Sequence, residues 1–268
     1  MDDILKIKDL TFKYTDTLIF KSLNLTLKYN DWYTLIGNSG SGKTTLVKII
    51  CGLIEGSFNI EFNFLDLKEK NKAEIRTKIS ILFSDIDTNF IENNVYDELT
   101  FELRNMRYSQ VEIDEFLKDV DEITNVSKLF AKEFSKLSNY EKCLVLLASS
   151  LMIKPKLLII DETFDCLSKK EREQLYNMIL EYKNKYKLTV LNITNNSEDS
   201  LIGDNILVLE NKNILYNDGI KKVYNEHLLD EKKYKPPFII ELSEHLKLYE
   251  IIDKNYYSME ELVDEIWK

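Results

Sequence analysis

Apolar residues alternate in short runs at the start of the chain: Ile7, Leu10 and Phe12 within 4–12, then Leu23, Leu25 and Leu27 within 18–27. That is the period of half-buried strands, and the two runs are expected to pair as an antiparallel layer. Residues 32–36, WYTLI, form an aromatic and apolar run that predicts a third strand, and 57–64 alternates cleanly enough to predict a fourth. A further short strand is expected at 79–83. From about 95 to 130 the pattern changes to helical spacing, with Val111, Phe116, Leu117 and Val120 among charged residues. Over 139–153, Cys143, Leu144, Leu147, Ala148 and Leu151 predict a helix with one buried face, stopped by Pro155.

The run KLLIIDE at 156–162 has no alternation, which suits a strand buried on both faces of a parallel sheet. A helix at 169–185, a second such strand at 188–193 and a hairpin-like pair at 206–209 and 214–216 follow. Strands alternating with helices predict an α/β fold with a mixed sheet, whose ligand lies at the carboxyl ends of the strands. After about residue 226 the texture changes: Lys235-Pro236-Pro237 breaks the chain, 238–248 reads as an amphipathic helix, and Ser258 begins another with Glu260 and Glu261 near its positive end.

Composition narrows this picture. The 268 residues suffice for one large core or a main domain with an appendage, and the net charge of −10 argues against a nucleic-acid partner. No apolar run reaches membrane-spanning length, and the start MDDILKIKDL lacks the features of a signal peptide, so any membrane role is expected to be peripheral. Cys51, Cys143 and Cys166 sit in apolar or mixed runs without metal-ligand spacing and read as small packing residues of a cytosolic protein.

One stretch carries chemistry outright. Gly37-Asn38-Ser39-Gly40-Ser41-Gly42-Lys43-Thr44, followed by Thr45, fits G-x-x-x-x-G-K-[ST] between an expected strand and an expected helix. The glycines let the backbone turn its N–H groups inward around phosphate, and the helix start adds the positive end of its dipole. Lys43 is suited to the β- and γ-phosphates and the Thr44 hydroxyl to Mg²⁺. Asp161 and Glu162, at the end of a buried strand, supply a metal-holding carboxylate and a base to polarise an attacking water.

In this order the motifs resemble those of the ATP-binding subunits of ABC transporters, most closely the energy-coupling factor type that imports vitamins and metal ions. The resemblance covers nearly the whole chain. It implies a P-loop NTPase core at 1–225 with an antiparallel β layer at the N-terminus, an inserted helical subdomain at about 95–153, and a small C-terminal helical appendage at 226–268. It also implies that Tyr14 stacks on adenine, and that Asn38, Ser39, Gly40, Ser41, Gly42, Lys43, Thr44, Thr45 and Ser138 contact ATP. Thr44 and Asp161 would hold Mg²⁺, and Ser84, Glu162 and Asn195 would occupy catalytic positions. The implied partners are a second ATP-binding subunit, identical or not, a multi-spanning coupling protein docked around 84–103, and a substrate-binding membrane subunit. The implied location is the cytoplasmic face of the membrane.

The chain departs from that family where hydrolysis is controlled. Ser84 stands where the family has glutamine, Leu137-Ser138-Asn139-Tyr140-Glu141 where it has Leu-Ser-Gly-Gly-Gln, Ser168 in place of an aspartate and Asn195 in place of a switch histidine. Asn139 and Tyr140 add bulk at a helix start that should approach phosphate, Glu141 adds negative charge, and Ser84 is short. Asn195 can donate one hydrogen bond to the γ-phosphate but cannot become cationic. The only histidines, His227 and His245, fall in the tail. The expectation is a secure ATP site with impaired hydrolysis. The sequence leaves open whether the chain is a slow but coupled ATPase or a non-transport regulatory module that has kept its pocket.

Overall fold

The computed structural model describes residues 3–226, 228–229 and 233–267, so His227 lies outside the described residues. Two sheets organise the chain. The first is antiparallel and joins β1 (Asp3–Tyr14), β2 (Thr17–Lys28), β4 (Asn59–Phe62) and the short β5 (Leu65–Asp66) in the order β2-β1-β4-β5. The second contains β3 (Trp32–Ile36), β6 (Ile79–Leu82), β7 (Leu157–Asp161), β8 (Thr189–Ile193), β9 (Asn205–Glu210) and β10 (Asn213–Gly219). Its order is β10-β9-β3-β8-β7-β6, parallel throughout except for the antiparallel β9–β10 hairpin at its edge. The fold is therefore the mixed α/β architecture expected from the alternation of strands and helices.

The alternation of side chains along the second sheet divides the interior in three. Tyr33, Leu35, Ile159, Leu191, Leu207 and Leu209 face α1 (Lys43–Ile50) and the antiparallel sheet. Trp32, Leu158, Ile160 and Val190 face the other way, onto α3 (Val95–Asn105), α4 (Gln110–Thr124), α5 (Asn139–Met152) and α6 (Lys169–Tyr186). At the centre of this layer the Trp32 and Phe164 rings meet Tyr176 edge-on, with centroids 5.8 and 5.5 Å away. Such aromatic pairs add about 0.5–1.5 kcal/mol each beyond their burial. Toward the hairpin edge, Ile36, Ile206 and Val208 belong to a third core with α7 (Ile220–Asn225), α8 (Phe238–Leu248) and α9 (Met259–Ile266).

Local chemistry sets the helix boundaries. Ser109, Ser138 and Ser168 each cap the helix that follows, and each has a glutamate three residues on that reaches back, completing a capping box. Helix α6 ends where Lys187 takes a left-handed conformation, φ 59°. Two helices are not signalled by apolar periodicity: α2 (Glu69–Arg76), of which only Ile75 is buried, and α7, which is six residues long.

Candidate functional site

The end of β3 delivers the chain into the Gly37–Thr44 loop. A Cβ on Gly37 would lie 2.7 Å from the Leu209 carbonyl, so the loop can pass β9 this closely only with glycine there. Gly42 has φ +104° and packs against Ile19 and Phe20, where a Cβ would sit 2.8 Å from Ile19 Cγ2. Gly42 also N-caps α1 with no side-chain hydrogen bond. The first-turn N–H groups of α1 therefore have neither intrahelical acceptors nor a capping side chain, the arrangement that attracts an anion.

Lys43, 5 % exposed, turns back under this opening. Its ammonium donates to the Gly37 carbonyl at 2.8 Å and to Asn195 Oδ1 at 3.4 Å, and pairs with Glu162 Oε1 at 3.3 Å. Glu162 reaches it from the end of β7 in a left-handed conformation, φ 56°, held by its N–H on the Ile193 carbonyl at 3.0 Å. A non-glycine residue occupies that region at a cost and needs surroundings that fix it.

Asp161 is buried beside Thr44. Burial pushes its carboxyl above the ordinary value, opposed by a hydrogen bond from Thr44, and Oδ1 is buried without a partner. An orphaned carboxylate oxygen next to a hydroxyl at the mouth of an anion site is the donor set a hard divalent cation takes, so Thr44 and Asp161 fit Mg²⁺. The same burial predicts a trade-off. The ionised form is disfavoured in the fold, so the contribution of this group to stability is complete at low pH and is lost as pH rises through its raised value. Asp161→Asn should therefore raise the thermal midpoint of the nucleotide-free protein by roughly 2–4 °C at neutral pH. The gain should vanish near pH 4, and Mg²⁺-dependent nucleotide binding should be lost. Melting curves at both pH values check this; an unchanged or lowered midpoint at neutral pH would show that the buried charge costs the fold nothing.

Beyond β8 a second polar cluster continues inward. Asp165 accepts from the backbone N and Nδ2 of Asn195, both at 3.4 Å, and shares with Asp199 the single proton of the Thr194 hydroxyl, 3.1 Å away. Asp199, in the turn beyond Asn195, meets Arg172 Nε at 3.2 Å, the Tyr176 hydroxyl at 3.0 Å and the Thr194 hydroxyl at 3.1 Å. Burial pushes Asp199 above the usual carboxylate range, with Arg172 pulling it back. No motif marks Asp165 or this buried pair, because no sequence pattern distinguishes such a network member from a surface acid.

The remaining expected positions fall at different distances from this centre. Ser84 lies just beyond β6, whose Leu82 pairs with Ile160, so it stands level with Glu162 at the neighbouring strand end, exposed. Asn38, Ser39, Gly40 and Ser41 line a cleft of about 850 Å³ closed on its other sides by the start of β2 and the β9–β10 turn with Lys212. Tyr14 ends β1, half exposed and edge-on to Phe12 at 4.8 Å, outside the residues lining that cleft. Thr45 lies in the first turn of α1.

Ser138 stands at the start of α5, which is closed by its own chain. The Ser138 hydroxyl accepts from Glu141 N at 3.2 Å, and Glu141 accepts from Ser138 N at 3.0 Å while pairing with Lys132 at 2.5 Å. The charge expected at Glu141 is thus tied to the helix start and to a lysine, which hold its carboxyl below the usual range. His245 sits in the last turn of α8, in the tail.

An open helix start after a glycine loop, with a buried lysine, a threonine and two consecutive carboxylates at the end of the parallel strand β7, defines a P-loop nucleotide-binding protein. The ABC transporter family model matches residues 20–165, and the chain belongs to that family. It is 31% identical over 268 residues to the energy-coupling factor transporter ATP-binding protein EcfA1 of Ligilactobacillus salivarius, covering 98% of this chain and 95% of that protein. It is 27% identical to the protein of the same name from Streptococcus pneumoniae, over 100% of this chain and 99% of that one. Among solved structures, cbiO1 from Clostridium perfringens, part of the ABC transporter complex cbiONQ, superposes with a TM-score of 0.79 at 25% identity, covering 92% of this chain and 96% of that one. A nucleotide-free ATP-binding cassette from an ABC transporter shares the fold, with a TM-score of 0.75 at 22% identity over 87% of this chain and 98% of that one.

Proposed function

We propose that this chain is the ATP-binding subunit of an energy-coupling-factor-type uptake transporter. The observation that carries the reading is the convergence of Lys43, Thr44, Asp161 and Glu162 on one uncapped helix start. The near-full-length match to EcfA1 proteins and the third core built by the tail support it. The nucleotide-binding domain occupies 1–225, with its helical subdomain at about 95–153, and the appendage occupies 226–268. No helix among the described residues is long and apolar enough to cross a membrane. The subunit lies peripherally on the cytoplasmic face, paired with a second ATP-binding subunit and docked on a multi-spanning coupling protein that works with a substrate-binding membrane subunit.

Within the site, the α1 N–H groups and Lys43 bind the phosphates, Tyr14 offers a ring to adenine, and Thr44 and Asp161 hold Mg²⁺. Mg²⁺ held by these two residues would offset negative charge on the phosphates. Glu162 is placed to take a proton from an attacking water once nucleotide displaces it from Lys43. Hydrolysis is slow. The start of α5 is closed by the Ser138–Glu141 box, Tyr140 adds a half-buried ring there, and Ser84 is too short to order a water.

Two measurements test this. Purification of the native complex is expected to bring down a multi-spanning membrane protein; recovery of a soluble chain without one would favour a non-transport role. If most turnover in the assembled pair occurs at the other subunit's site, as this reading has it, single-turnover hydrolysis should fall less than twofold on Glu162→Gln, although the base of this site is gone. Loss of most activity would show that this site carries the turnover.

A further inference from the structure

The loop between β7 and α6 carries a carboxylate that neither phosphate binding nor metal binding uses. Asp165 is exposed, yet one of its oxygens receives both donors of Asn195 and the other lies 3.1 Å from the Thr194 hydroxyl, whose single proton it shares with Asp199. Partial desolvation pushes its carboxyl upward, against those hydrogen bonds. Through Thr194 the network continues to Asp199 and Arg172, so the turn after β8 is anchored on two sides.

The chemistry of the partners fixes which way the Asn195 amide faces. Lys43 Nζ can only donate, and an ionised carboxylate can only accept. The amide oxygen must therefore meet Lys43, at 3.4 Å, and the NH₂ must meet Asp165, also at 3.4 Å. A terminal phosphate arriving at Lys43 would thus find an acceptor at Asn195 where a donor would help it. The sequence expectation of an Asn195 hydrogen bond to the γ-phosphate needs this amide to turn over first.

We propose that Asp165 is a positioning residue of the nucleotide site: by holding the Asn195 amide with its oxygen toward Lys43, it sets the site against the γ-phosphate and narrows the preference for ATP over ADP. The proposal rests on the reading of the chain as an ATP-binding subunit. Removing the carboxylate lets the amide rotate and offer Nδ2 to the phosphate. Making a charge-assisted hydrogen bond there, and relieving the repulsion between two acceptors, together correspond to about tenfold in affinity. Asparagine at the same position keeps an acceptor of the same shape and should retain most of the hold.

The test is competition against a fluorescent nucleotide, with MgADP and a non-hydrolysable MgATP analogue, on the full chain. In Asp165→Ser the affinity ratio is expected to move about tenfold toward the ATP analogue. It should move less than about twofold in Asp165→Asn, and the gain should disappear in Asp165→Ser/Asn195→Ala. A purely structural loosening would shift both nucleotides alike. Equal shifts, or a gain that survives without Asn195, would overturn the proposal while leaving the ATP reading standing. A wild-type chain that binds neither nucleotide would overturn the ATP reading and this proposal with it.

Discussion

Lys43→Ala is expected to weaken MgATP binding at least about a hundredfold while leaving the chain folded. The ammonium is a buried cation directly beneath the open start of α1, and hydrogen bonds to charged groups are worth about 1.5–3 kcal/mol each. Removing two such bonds to phosphate exceeds the roughly 2.7 kcal/mol that a hundredfold change represents. The fold should tolerate the change, because Glu162, whose side chain is 30% exposed, can be solvated when its partner goes. Arginine should not rescue it. The pocket holds a compact ammonium against the Gly37 carbonyl at 2.8 Å, and a planar guanidinium has a different reach and shape. Equilibrium binding with circular dichroism as a folding control decides the matter. Affinity retained within about threefold would remove Lys43 from the site.

The second large effect concerns stability. Arg172 and Asp199 pair with side chains 9% and 4% exposed, and Asp199 also anchors Tyr176 and Thr194. Arg172→Met keeps much of the volume but leaves a buried carboxylate without its cation, which costs about 3–5 kcal/mol. The sign of its pH dependence follows from Asp199. Its carboxyl is raised in the fold even with Arg172 present, and removing the cation raises it further. A raised acid supports the fold fully below its unfolded value and loses that support as pH rises through the folded one. The deficit in Arg172→Met should therefore be largest at neutral and higher pH and shrink toward pH 4, and Asp199→Asn in the same chain should recover much of it. Urea unfolding across that range measures both; a deficit that grows on acidification would contradict the assignment.

Much of this arrangement is legible in the residues alone, for identifiable reasons. The KLLIIDE run reads as a doubly buried strand because β7 has neighbours on both edges and cover on both faces, α1 and the antiparallel sheet on one and the helices α3 to α6 on the other. The starts of α8 and α9 follow from Pro237 and Ser258, whose local chemistry acts without help from distant residues. Helix α2 escapes because a helix that buries only Ile75 has no apolar stripe to find. The orientation of the Asn195 amide cannot be read at all. It depends on Lys43, at the start of α1, and Asp165, in the loop after β7, and only the assembled strand ends bring the three together. The consequence of Glu141 is likewise hidden, since its charge is answered by Lys132 from the preceding turn.

The third core changes what the tail is for. Ile36 is the last strand residue before Gly37, and it shares its surroundings with Ile206, Val208, Ile240, Ile252 and Leu262 rather than with the helices over the rest of that face. A chain cut at the Lys235-Pro236-Pro237 break would leave only α7 and the turn after it over those strand residues. The end of the strand that aims the phosphate loop is waterproofed from one side by α1 and from the other by α7 together with the last thirty or so residues, so the part that looks most dispensable in the sequence helps keep the nucleotide end of the sheet dry.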